Sequence, residues 1–132
     1  MTKGKIVYWG STALLCLIYA GGAAMYLAQR PMVEEGFAYL GYPAYLVSLL
    51  IVVKIAGPLA ILTRVWVRLS DLAYAGMFYH LILAFAAQLS IGGMGFVSAL
   101  AGMAVLIASF LSQNLARKVP SLNVPGRFSQ AA

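Results

Sequence analysis

The chain has 132 residues, of which 63% are hydrophobic and 9% charged, with a net charge of +6 and a mean hydropathy of +0.90. Soluble domains carry roughly 25% charged residues, so this chain lacks the polar side chains to cover a water-exposed surface. These figures exclude a soluble enzyme, a disordered chain and a collagen-like fibre, and they leave an integral membrane protein.

A helix crosses the hydrocarbon core of a bilayer with about 20 apolar residues. Four such runs follow one another, at about residues 6–28, 44–62, 72–90 and 95–112, and residues 113–132 form a basic tail. The first run is too long for the apolar stretch of a signal peptide and reads as a retained span. Its one cysteine, Cys16, has no partner for a disulfide and reads as a small buried hydrophobe. Small residues recur at interface spacing: Ala20, Ala24 and Ala28, then Ala73, Gly76, Ala84 and Ala87, then Ser98, Gly102, Ala104 and Ala108. In lipid such residues let helix backbones approach closely. The expected fold is all-α, a single membrane domain over residues 1–132 built as an up-down four-helix bundle.

The connection from Gln29 to Pro43 is unusually apolar for a loop. It is expected to lie in the interface as a short helix or turn, with Gly41 and Pro43 as breakers, as an aromatic anchor or as a lid. The tail carries Pro120 and Pro125 and is expected to lose structure at its end, with Arg117 and Lys118 near lipid headgroups.

Seven basic residues fall on one side of an alternating topology: Lys3, Lys5, Arg64, Arg68, Arg117, Lys118 and Arg127. Only Arg30 falls on the other. The positive-inside rule then places both termini in the cytoplasm. Tyr8, Trp9 and Trp66 mark the inner interface; Tyr26, Phe37, Tyr39, Tyr42 and Tyr45 mark the outer one. Because the basic residues sit at span ends rather than in a cluster, they read as topology signals and not as a nucleic-acid surface.

Two ionisable residues lie inside the spans. Lys54 stands eight residues from the end of the second span at Leu62, which is about 12 Å deep at 1.5 Å per residue. A lysine at a helix centre costs roughly 2.5–3.5 kcal/mol on insertion scales, so such residues face the bundle interior and mark sites. His80 lies at nearly the same depth in the third span, on a face that also holds Gly76 and Ala84. Gly57 and Pro58 form a kink element; Pro58 has no N–H, which leaves the Lys54 carbonyl without its helical partner. Lys54, that carbonyl, His80 and Tyr79 are expected to form a polar pocket at mid-membrane. No acid lies at the depth of Lys54, so a ligand or partner would supply negative charge or acceptor oxygens. No His, Cys or carboxylate cluster fits a metal site, one histidine cannot ligate haem from both sides, and no nucleophile–base pair is apparent.

Three stretches share a further pattern: EGFAYLGYPAYL, VVKIAGPLAIL and LAYAGMFYHL, after an opening KIVYWGSTALL. Together they resemble the DoxX-like membrane proteins, with Glu35 and Phe37 matching an acid and an aromatic ahead of a Leu-Gly-Tyr-Pro element. The likeness covers most of the chain through the third span. It implies a four-helix membrane bundle in the bacterial cytoplasmic (inner) membrane, and it adds Glu35 to Lys54, His80 and Tyr79 as a candidate ligand-binding residue. The family's namesake is a small subunit of an archaeal thiosulfate–quinone oxidoreductase. Members often carry an acid where this chain has His80, and a later His and Asp where it has Gln88 and Gly93.

The leading expectation is an accessory membrane protein without intrinsic catalysis. It would bind a quinone or similar amphipathic ligand between the second and third spans, for a redox partner protein. The alternatives are a small anion or proton-coupled transporter and a structural assembly subunit. The expected partners are the lipid bilayer, the redox partner or a second copy of the chain.

Overall fold

The computed structural model describes residues 2–92 and 94–128; Gly93 lies outside the described residues. Five α-helices and one short 3₁₀ turn follow in order: α1 Lys3–Ala28, α2 Arg30–Tyr39, α3 Tyr45–Thr63, α4 Val67–Ser90, α5 Phe96–Ala116 and the turn Gly126–Phe128. All but α2 are long and apolar enough to cross a membrane. The described residues contain no strand.

Local chemistry sets the helix ends. Thr2 caps α1 by accepting the Lys5 N–H at 3.4 Å. α2 follows α1 with only Gln29 between them, and has Pro31 in its first turn, where the missing N–H removes nothing the helix needs. Gly41, at φ +84°, turns the chain from α2 toward α3. α3 continues through Pro58 to Thr63 and stops at Arg64, which is left-handed at φ 44°. α4 begins at Val67, ahead of the apolar run that starts at Leu72. Its first turns carry Arg68 and Asp71, so they are helical without being hydrophobic.

The four long helices form a ring. α1 packs on α3 and α5, and α4 packs on the same two, while α1 and α4, and likewise α3 and α5, face each other diagonally. The start of α4 and the end of α5 share one end, where Gln113 and Ser121 reach Asp71. Arg117 ties the start of α1 and the end of α3 to the same place, through Tyr8, Ile61 and Leu62. Successive long helices therefore run up and down, as expected. This end is called the basic end, and the opposite one, with α2, the aromatic end.

The interior alternates polar and apolar levels. Thr12 of α1, Tyr74 of α4 and Ser109 of α5 form a buried triad, with Ser109 Oγ 2.7 Å from Thr12 Oγ1 and 2.6 Å from the Tyr74 hydroxyl. Beside it lies a common apolar cluster to which all four spans contribute, Leu15, Ile61, Met77 and Leu106 among its members, these four no more than 3% exposed. The outside reverses the soluble pattern. Leu17, Val52, Leu72 and Leu83 are each more than 60% exposed, which suits side chains that meet lipid.

The tail, whose expected loss of structure at its end falls on residues 129–132, outside the described residues, returns to the bundle before that. Asp71 Oδ2 accepts from the Ser121 hydroxyl at 2.6 Å and from Asn123 Nδ2 at 2.8 Å. Asn114 exchanges two hydrogen bonds with the Ser121 backbone. Arg117, expected near lipid headgroups, donates to the Tyr8 hydroxyl and to the carbonyls of Ile61 and Leu62. Those carbonyls belong to the last turn of α3, which has no intrahelical donors left for them.

Candidate functional site

The buried face of α1 repeats through Tyr8, Thr12, Leu15, Tyr19 and Ala23, and Tyr26 continues the same stripe. This periodicity aims Tyr19 and Tyr26 at α3, where Lys54 is 9% exposed. The Lys54 Nζ lies 5.1 Å from the centroid of the Tyr19 ring and 4.9 Å from that of Tyr26. Gly22 sits between the two tyrosines. A Cβ there would stand 3.1 Å from the ammonium, so the missing side chain makes the room. Lys54 makes no ion pair or hydrogen bond among the described residues. Two aromatic faces offer a desolvated cation roughly 2 kcal/mol or more, but they are not hydrogen-bond acceptors, so three N–H donors stay open to a ligand.

Tyr19 also joins the lysine to α4. Its hydroxyl lies 3.0 Å from His80 Nδ1, and it donates to the Met77 carbonyl at 3.4 Å. The two rings are tilted at 59° with centroids 5.6 Å apart. This holds the half-buried imidazole in one orientation and leaves Nε2 for another partner. Lys54 and His80, expected at one depth, thus share that depth through Tyr19.

A cavity of about 200 Å³ lies beside them toward the aromatic end. His80 and Gln88 of α4, Leu46 of α3, Tyr26, and Phe37 and Tyr42 of the connection line it. Tyr26 is common to both features: its ring lies beneath the Lys54 ammonium and forms part of the cavity wall. Lys54 itself stands behind that ring and is not on the wall. Over the cavity, α2 is docked by Val33, which packs with Val47 and Ile51. Phe37 meets Tyr26 edge-on at 5.9 Å. The connection is therefore an ordered cover, with an interior face made of its own aromatics.

Other candidate residues lie elsewhere. Tyr79 is 66% exposed on the outside of α4, because one residue along a helix turns the side chain about 100° away from His80. Glu35 is exposed on α2, and it is Glu34 that pairs with Arg30, at 2.7 Å. Gly57 is where α4 comes close, its absent Cβ lying 3.1 Å from Met77 Cε, and Pro58 is buried in the bundle. Sequence reasoning missed Tyr19, Gly22 and the cage role of Tyr26. The three-and-four spacing of tyrosines around Gly22 was the available signal.

A family model for DoxX-like proteins matches residues 10–112. The chain belongs to the DoxX-like family. The matched stretch of this DoxX-like protein contains Tyr19, Gly22, Tyr26, α2, Lys54 and His80, and it stops short of the tail clasped by Asp71. No match was found among curated proteins or solved structures. Family and apolar helices together make this an integral membrane protein.

Proposed function

We propose that this protein is an accessory subunit of the bacterial cytoplasmic membrane, with both termini in the cytoplasm. In this reading it binds the headgroup of a quinone, or of a similar amphipathic carbonyl compound, in the cavity under α2. The observation that carries the reading is the meeting of an apolar, aromatic-lined cavity with His80 on its wall and a caged lysine one ring behind it. Amphipathic ligands favour such sites, where most of the wall is apolar and a few polar groups set orientation. With the Tyr19 hydroxyl turned to donate to Nδ1 instead of to the Met77 carbonyl, His80 carries its proton on Nε2 and donates it to one carbonyl oxygen. Lys54, one ring behind the wall, contributes its positive charge to the same end of the ligand. Electrons come from a partner protein, and the subunit's contribution is to hold and orient the ring.

The test is extraction in mild detergent, analysis of co-purifying quinone, and titration with a short-chain quinone followed by tyrosine and tryptophan fluorescence. Saturable binding that weakens in His80→Ala and in the cavity-filling Leu46→Trp supports the reading. A protein that retains no quinone and shows no saturable quenching overturns it. Substrate flux in proteoliposomes would point to the transporter alternative instead.

A further inference from the structure

A second polar feature lies at the basic end and takes no part in the quinone reading. A crevice of about 770 Å³ opens between the Arg64–Val67 turn, the start of α1 and the returning tail. Four cations line it, Arg64, Arg68, Arg117 and Lys118, against a single carboxylate, Asp71. That carboxylate is occupied by Ser121, Asn123 and Gln113. Arg117 spends its donors on Tyr8 and two carbonyls, and stacks at 4.7 Å from the Trp9 ring centroid. Arg64 donates to Gln113 and to the Val119 carbonyl, yet its Nε is buried without a partner. Among the described residues none of these cations is in an ion pair. α4 also begins here, with no side-chain cap on its first N–H groups, and such a terminus favours an anion.

Next to this crevice runs an apolar groove of about 360 Å³ between α4 and α5, walled by Tyr74, Phe78, Leu106, Ile107 and Phe110. The two share Asp71 and Asn123 as common wall. A cationic mouth with tryptophans at interface level, adjoining an apolar furrow between two spans, matches one kind of molecule. We infer that the basic end is a binding site for an anionic phospholipid, its phosphate in the crevice and one acyl chain in the α4–α5 groove. Charge complementarity selects the lipid class, because a zwitterionic headgroup would leave the excess positive charge uncompensated. The furrow selects a lipid over a soluble anion.

The full-length protein is reconstituted in nanodiscs of equal phosphatidylglycerol and phosphatidylcholine, re-extracted in mild detergent, and its retained lipid counted by native mass spectrometry. Wild type should retain phosphatidylglycerol selectively. Arg68→Gln with Lys118→Gln should reduce that preference by about thirtyfold, at the usual contribution of a cation beside an anionic surface. Ile107→Trp, which fills the groove and leaves every charge in place, should lower retention with an unchanged helical spectrum and elution volume. Retention unaffected by Ile107→Trp means attraction to a basic surface alone and overturns the site. Displacement of the lipid by millimolar inorganic phosphate also overturns it, in favour of a soluble anion.

Discussion

Lys54 is held by geometry that has nothing acidic in it. Two tyrosine faces and the gap at Gly22 accommodate the ammonium without neutralising it. Lys54→Leu should therefore fold, and its melting temperature in detergent should equal or exceed that of wild type. Replacing a buried charge by an apolar side chain of similar volume is often neutral or stabilising. Ligand binding should be lost in the same variant. A variant that unfolds while the wild type binds nothing makes Lys54 a structural residue only. Gly22→Ala is the finer probe. Its Cβ meets the end of a flexible side chain, so the ammonium shifts by a few tenths of an ångström and the bundle stays intact. Weakened ligand binding at unchanged stability is the expected result, read by the same fluorescence titration. The lysine and histidine were legible in the sequence because an ionisable residue in an apolar run stands out. Tyr19 was not, since a tyrosine on an apolar face reads equally well as core. Tyr79 was misplaced because adjacency in sequence was taken for adjacency in space, which a helix does not allow.

At the scale of the helix, polar contacts do most of the specifying. Ser109 serves both Thr12 and Tyr74, so Ser109→Ala removes two buried interhelical hydrogen bonds at once. Thermal unfolding in detergent should show a loss of about 1–2 kcal/mol, in line with interhelical hydrogen bonds in lipid. The tail is a second case. Asp71 is its clasp, and Asp71→Ala should release residues 117–128, seen as faster cleavage by trypsin after Arg117 and Lys118 with the four spans uncut. The four spans were readable because hydropathy needs only composition and length. The docked tail was not, because its two hydrogen bonds to Asp71 join positions 50 and 52 residues apart, and local composition carries no trace of such a pairing. α2 stood between these cases: its aromatics signalled the interface and its breakers the end, while the packing of Val33 on Val47 became visible only in three dimensions.

For the whole molecule, the ring order of the helices and the gathering of cations at one end make orientation testable. Reporter fusions after the tail should read cytoplasmic, and a fusion between α4 and α5 should read external, from the seven-to-one distribution of basic residues. The opposite pattern would invert the bundle and move the cavity under α2 to the cytoplasmic leaflet. Whichever way it lies, the cluster of Leu15, Ile61, Met77 and Leu106 has an electrical meaning. A charge carried through the full transmembrane potential gains or loses about 2.3 kcal/mol per 100 mV. Voltage falls mainly where the dielectric is lowest, and all four spans contribute to that dry layer. Lys54 and His80, which meet that cluster through Tyr19, border the drop on its aromatic side, and the cavity beyond them keeps the potential of the water at that end. An ionic ligand reaching the cavity should bind with the same affinity whether vesicles are held at zero or at an imposed potassium diffusion potential, and a voltage-dependent affinity would place the field across the cage instead.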